Sequence, residues 1–207
     1  MKLQLFPVNI FHGSVPDNQK LKDILIPEIN RTKTNLVTPD SWFTNHLVTS
    51  FAHDDVNAAI FNDPQIRSEL QKQYTHVIQS FLNEKEWGID ILSMWYNCYE
   101  NGEYQESHCH ISCVNSVHFA CVHFLSFDPE FHSPLTLIDP LAKLRSHSVE
   151  LSRYSEKVPF ECNEGDLVMF PSYLDHEVKA SNPTPGNPRI TVSFNFKLTH
   201  YGNFHFK

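Results

Sequence analysis

From residue 89 onward the chain breaks into short runs rich in β-branched and aromatic residues, each bounded by turn residues, and this cadence confines its second half to an all-β sandwich or barrel. The runs lie at 89–99, 116–127, 135–138, 148–153, 158–161, 166–170, 176–180 and 189–198. Asn101-Gly102, Asp128-Pro129, Asp139-Pro140, Glu164-Gly165 and the segment 181–188, with three of the 13 prolines, supply the turns between them. Pro159 has no N–H to give a ladder, so its run belongs at an edge. Ahead of this region, alternation over 3–11 predicts a strand, and Asp17 offers an N-cap to a helix with Leu21, Ile24, Leu25 and Ile29 on one face. Pro27 is expected to kink or end that helix. A second helix opens at Asn62-Asp63-Pro64, a cap followed by proline at the first helical position, and carries Ile66, Leu70, Tyr74, Val77, Ile78 and Phe81 on one face. The fold expected is mainly β: a double-stranded β-helix, that is a cupin-like jelly roll, braced by N-terminal helices. It forms one domain over 1–207, with a strand and supporting helices in 1–88, the jelly-roll core in 89–198 and a tail in 199–207.

Composition narrows the function classes. Apolar residues make up 41% and aromatics 13%, enough large side-chain volume for a core without disulfide staples. Sixteen Lys and Arg against 24 Asp and Glu give a net charge of −8, which argues against bulk nucleic-acid binding. No apolar run approaches the ~20 residues of a membrane helix, and no apolar signal segment opens the chain. A soluble, cytoplasmic protein without a membrane partner is expected. Five cysteines with no C-x-x-C pair fit reduced thiols better than a disulfide framework or a structural zinc site.

Histidine is the compositional outlier, with 13 residues, four of them at 108, 110, 118 and 123. His108 and His110 at i and i+2 share one face of an extended chain and make half a metal site. His176 opens a later run and supplies a third imidazole if the jelly roll brings it opposite. Three protein ligands with positions left open suit a catalytic mononuclear metal, and imidazole alone does not choose among iron, zinc, copper and nickel. Over 189–195, alternation sends Arg189, Thr191, Ser193 and Asn195 to one face. An inward Arg189 with the Thr191 hydroxyl nearby is a fork and an extra donor for a carboxylate, and a small dicarboxylate is the obvious ligand. His118 and His123 point to opposite faces and read as structural. Cys109 and Cys113 alternate away from the imidazole pair and read as packing residues, Asp175 as a solvated charge, and 170–173 as core and turn that place His176.

In order, Trp95-x-Asn97, His108-x-His110, Asp139-Pro140, the run from Gly165 through Leu167, Val168, Phe170, Pro171 and Ser172, then His176 and Arg189-Ile190-x-x-Ser193-Phe194-Asn195, resemble the iron(II)/2-oxoglutarate-dependent dioxygenases. Within that superfamily they are most similar to oxygenases common in bacteriophages and marine bacteria, over about 95–198. The resemblance implies that His108, His110 and His176 hold Fe(II), and that Arg189, with Thr191 or Ser193, holds the distal carboxylate of 2-oxoglutarate. Trp95, Asn97, Tyr99 and Tyr104 would line the co-substrate or substrate side. His110 stands where the wider superfamily carries Asp or Glu, so either the site is a three-His site or a carboxylate completes it, with Asp139 and Glu106 the candidates. The implied activity is a dioxygenase, a hydroxylase, that couples decarboxylation of 2-oxoglutarate to succinate with O2-dependent C–H oxidation. The primary substrate stays open among protein side chains, nucleobases and small molecules, and the setting is a cytoplasm, the host's if the chain is phage-encoded. Two alternatives stand beside it: a cupin-like three-His metalloprotein that does not use 2-oxoglutarate, and a non-catalytic binding domain of phage type.

Overall fold

A computed structural model describes residues 8–44, 46–82, 87–112, 116–142, 156–181, 186–200 and 204–206. Two sheets carry the architecture. The larger runs in the order β1 (Phe11–Ser14), β8 (Asp166–Pro171), β5 (Phe119–Ser126), β10 (Arg189–His200), β3 (Trp87–Tyr99) and β11 (Phe204–Phe206), with β2 (Val48–Thr49) also on β3. The smaller runs β4 (Gln105–His108), β9 (His176–Val178), β6 (Leu135–Ile138), β7 (Lys157–Pro159). All pairings are antiparallel except β11 with β3. This is the jelly roll expected, with β7 and its Pro159 at an edge.

Strand β10 shows how the sequence builds the site. It is central, paired with β3 on one side and β5 on the other, and its side chains alternate between two environments. Ile190, Val192, Phe194 and Phe196 join a core with Met94, Tyr96, Cys98, Cys121 and Leu125. Helices α1 (Asn18–Thr32), α2 (Asp54–Phe61) and α3 (Pro64–Leu82) close that face with Leu21, Leu25, Ile29, Phe61, Leu70 and Tyr74. The opposite face of β10 carries Arg189, Thr191, Ser193 and Asn195, all buried between the sheets. A second core of Val122, Phe124, Leu135, Leu137, Val168 and Phe170 fills the rest of that interior. None of the described helices is long and apolar enough to cross a membrane.

Several local expectations are revised. Pro27 lies inside α1 and does not end it. It sits on the solvent side, where the carbonyl left without an N–H partner meets water, while Leu21, Leu25 and Ile29 on the opposite side are fully buried and hold the helix in place. Strand β1 begins at Phe11, where the expected strand ended, and residues 1–7 lie outside the described set. The run at 148–153 also lies outside the described residues, as does Cys113. Helix α2 has no counterpart in the sequence reading, and the segment read as a tail contains β11. Asp17 and Asp63 do cap α1 and α3: Asp17 accepts from the Lys20 N–H, and Asp63 from the N–H groups of Gln65 and Ile66.

Candidate metal centre

Strands β4 and β9 pair so that His108 stands directly opposite His176. His110 lies two residues beyond His108, past the end of β4, and its backbone N–H is held by the Ser172 carbonyl at 2.8 Å. The i, i+2 rule for an extended strand is thus not what aligns this pair; the anchor on the 171–174 turn is. The three imidazoles converge, with one ring nitrogen from each within 4.8 Å of the others.

In each ring Nδ1 is already engaged. His108 Nδ1 donates to the Glu106 carbonyl at 2.8 Å and His176 Nδ1 to the Leu174 carbonyl at 3.0 Å. His110 Nδ1 donates to Asn195 Oδ1 at 2.7 Å, and Asn195 keeps its oxygen toward the ring because its Nδ2 donates to Ser93 Oγ. Backbone carbonyls only accept, so these bonds fix the tautomers and leave an Nε2 lone pair on every ring. The Nε2 atoms of His110 and His176 lie 3.2 Å apart. Two lone pairs at that distance repel unless a cation lies against both. Protonation does not supply it readily, because burial pushes the pKa of His110 down to about 4, helped by the neighbouring His108, and holds His176 well below the usual range. Burial lowers His108 as well. The donor set therefore fits a metal ion.

The same cavity holds the polar face of β10. Arg189 pairs with Tyr99 across the β10–β3 ladder, Thr191 with Asn97, and Ser193 with Trp95, so these side chains form one wall with His108, His110 and His176 facing it. Arg189 is 1% exposed, with its Cζ 4.6 Å from the centre of the Tyr99 ring and 5.4 and 5.8 Å from those of Phe124 and Phe127. Its Nε and Nη1 are buried without a hydrogen-bond partner, and no carboxylate among the described residues pairs with it. Burial pulls its pKa down, with Tyr99 acting in the opposite sense. A fully buried cation with free donors calls for an anion, and the planar fork suits a carboxylate.

Not every expected residue is brought here. Tyr104 is outside the cavity and donates its phenol to the Phe43 carbonyl at the surface. Asp139 is absent from the imidazole cluster; its Oδ1 accepts from the Leu141 N–H. Glu106 is also outside it, accepting from the Phe43 N–H through Oε1. Cys109 is exposed rather than packed, because the chain leaves the strand after His108. His118 is exposed and accepts from the Leu198 N–H, while His123 is buried in the helix-side core between Tyr74 and Asn18; both are structural, as read. Asp175 is exposed, and Phe170 packs edge-on against His176 at 4.7 Å. Sequence reading missed Asn195 as the anchor of His110, although it shares the alternating face of Arg189. It also missed Gln105, whose Oε1 accepts from the Tyr99 phenol while its Nε2 lies 3.4 Å from His108 Nε2.

Residues 93–195 match the model of a family described as "Putative 2OG-Fe(II) oxygenase". A comparison with curated proteins gives no match. Among solved structures the chain is similar to a Pseudomonas putida prolyl-4-hydroxylase, with 14% identity, a TM-score of 0.52 and 92% of each chain covered. It is also similar to the non-haem α-ketoglutarate-dependent epimerase SnoN of nogalamycin biosynthesis, with 12% identity, a TM-score of 0.61, and 94% of this chain and 80% of that one covered. A third is a prolyl hydroxylase from Trichoplax adhaerens solved with a hypoxia-inducible-factor peptide, with 10% identity, a TM-score of 0.56, and 90% and 82% covered. At these identities the structures speak for the shared jelly-roll fold.

Proposed function

As a member of the 2OG-Fe(II) oxygenase family, the chain is an iron(II)- and 2-oxoglutarate-dependent oxidoreductase, and we propose that it seats the iron on His108, His110 and His176 and the distal carboxylate of 2-oxoglutarate on Arg189. When bound, iron(II) and the keto acid supply the oxidising power: 2-oxoglutarate, O2 and a C–H bond become succinate, CO2 and a C–OH group. The observation that carries this reading is the buried Arg189 guanidinium, with free Nε and Nη1, in the same cavity as three imidazoles whose Nε2 lone pairs are all left unprotonated.

The protein's own residues orient and exclude. Glu106, Leu174 and Asn195 hold the imidazole rings so that Nε2 faces inward. Thr191 and Ser193 add hydroxyl donors beside Arg189, and Asn97, whose Oδ1 accepts from Thr49 Oγ1, keeps its amide nitrogen for the cavity. Tyr99, Phe124 and Phe127 surround the guanidinium with apolar rings, which strengthens its pull on a carboxylate by keeping water away. The free space among these side chains is small, about 20 Å3, or about one water. Gln105, whose amide lies over His108 Nε2, is one of the side chains that would have to move for the site to hold the keto acid. The product is a hydroxylated substrate in this reading, and the four described free thiols support a cytoplasmic place of work, the host's if the chain is phage-encoded.

The test is an anaerobic iron(II) titration with and without 2-oxoglutarate, followed by visible absorption. A weak charge-transfer band that needs both is expected. Arg189→Ala should retain iron and lose the band at the same keto-acid concentration. Iron binding with no keto-acid-dependent band in the unmodified protein would overturn the reading in favour of a three-His metalloprotein of another chemistry.

A further inference from the structure

Gln105 and His108 are three residues apart on β4, and in a regular strand that spacing sends side chains to opposite faces. Here both line the metal cavity. The reason is an irregularity in the β4–β9 ladder: Gln105 pairs with Val178 and His108 with His176, so three steps along β4 are matched by two along β9. An extra residue on one strand re-aims the side chains around it, and here it turns Gln105 and His108 to the same side. Gln105 is buried. Its Oε1 accepts from the Tyr99 phenol at 3.2 Å, which leaves its Nε2 facing the cavity, 3.4 Å from His108 Nε2. That contact has one sense: His108 Nδ1 carries the ring proton to the Glu106 carbonyl, so Nε2 accepts and the amide donates. Tyr99, at the other end of the amide, has its ring centre 4.6 Å from the Arg189 Cζ. One side chain therefore touches both a member of the imidazole cluster and the ring that lies against the guanidinium.

We propose that Gln105 is a positioning residue that links metal loading to co-substrate loading: its amide N–H closes His108 Nε2 in the empty site, and donates instead to a carboxylate oxygen of 2-oxoglutarate once a metal holds that lone pair. The proposal rests on the assignment of iron to the three imidazoles and of the keto acid to Arg189. An imidazole nitrogen has one lone pair, in the plane of the ring, so a donor hydrogen-bonded to it and a metal ion compete for the same electrons. The amide has to give up Nε2 for His108 to become a ligand. Its bond to Tyr99 runs through Oε1, takes no part in that competition, and keeps the released amide at the cavity wall. A buried N–H left without an acceptor is costly, so the released donor favours whatever acceptor enters. Arg189, with free Nε and Nη1, draws an anion into the same cavity, and a carboxylate has acceptor sites enough for a guanidinium and an amide together. Loss of the amide should therefore act in opposite senses, helping the metal and hindering the keto acid. A residue that only supported the fold would not divide the two in this way.

The experiment is calorimetry on the full chain, first with zinc(II), a diamagnetic stand-in for iron, and then with 2-oxoglutarate on the zinc-loaded protein. Gln105→Leu, which keeps the bulk of the side chain and removes its amide, is compared with the unmodified protein. One neutral hydrogen bond corresponds to roughly 2–10-fold in affinity. Zinc is expected to bind the variant more tightly by a factor in that range, and 2-oxoglutarate to bind it more weakly by a similar factor. A second measurement needs no substitution. The side-chain 1H–15N amide signals of Gln105 in the unmodified protein, assigned through bonds from its backbone, should move when zinc is added and move again with 2-oxoglutarate. Equal or weaker zinc binding by Gln105→Leu, equal or tighter 2-oxoglutarate binding, or amide signals that stay in place at either addition would overturn the proposal. Failure of the unmodified protein to bind zinc or 2-oxoglutarate would instead strike the site assignment on which it rests.

Discussion

Asn195 shows how one amide decides what an imidazole can do. His108 and His176 each turn Nδ1 toward a carbonyl two residues earlier in the chain, so local backbone geometry alone sets their tautomers. His110 has no such neighbour and depends on Asn195, which is itself oriented by Ser93. Removing a group that orients a metal-ligating histidine typically costs about 10–100-fold in metal affinity, and Asn195→Ala is expected to fall in that range. Competition with a chromophoric iron(II) chelator measures it. Asn195→Asp keeps the acceptor and adds a negative charge, so it should bind iron at least as well as the unmodified protein. If Asn195→Ala binds iron normally, stacking on Trp95 is sufficient to hold His110.

Helix α1 makes the corresponding point for an element. Its sequence contains a proline, no acidic residue in the first turn and only moderate amphipathicity, so its stability comes from Leu21, Leu25 and Ile29 packed against the outer face of the large sheet. Leu25→Ala should cost about 2–5 kcal/mol by removing fully buried methyl groups and leaving a cavity. Urea unfolding reads this as a lower midpoint with an unchanged slope, and a loss below 1 kcal/mol would mean that α1 is held by its ends. The same element marks the limit of sequence reading. Apolar β-branched and aromatic runs between turn residues made β3, β5, β8 and β10 legible, and a period of 3.6 made α1 and α3 legible, because these elements carry large apolar side chains into the two cores. The alternation from Arg189 to Asn195 likewise placed a polar face inside the barrel. What stayed hidden was decided by contacts distant in sequence. Pro27 is tolerated because tertiary packing outweighs one lost bond, α2 is too short to show a period, and Tyr104 is drawn to Phe43 by the loop that carries Trp42. His110 was expected to align with His108 along a strand, whereas the turn at 171–174 places it.

At the scale of the molecule, the helical layer and the barrel are joined by a buried polar bridge that has a pH signature. His123 of β5 accepts from the Tyr74 phenol of α3 through Nδ1 and donates through Nε2 to Asn18 Oδ1 of α1, while Asn18 Nδ2 donates to the Leu125 carbonyl. Every group in this chain is satisfied only if His123 is neutral. Full burial accordingly pushes its pKa down from 6.5 to about 3, with the more distant Asp166 opposing the shift. Between those two values the unfolded chain binds a proton at this histidine and the folded protein does not, so stability rises with pH across that window. The contribution is complete above pH 6.5 and is lost as the pH falls toward 3, with a slope of at most about 1.4 kcal/mol per pH unit. The site imidazoles are also held neutral by burial and act in the same direction, so the slope of the unmodified protein alone does not isolate His123. The comparison with His123→Gln does, because glutamine offers hydrogen bonds to the same neighbours and does not titrate. Urea unfolding at a series of pH values from 6.5 downward should give a shallower slope for the variant by up to one proton's worth. Equal slopes would show that the bridge admits a proton without breaking, and that the helices stay docked on the sheet through their apolar faces alone.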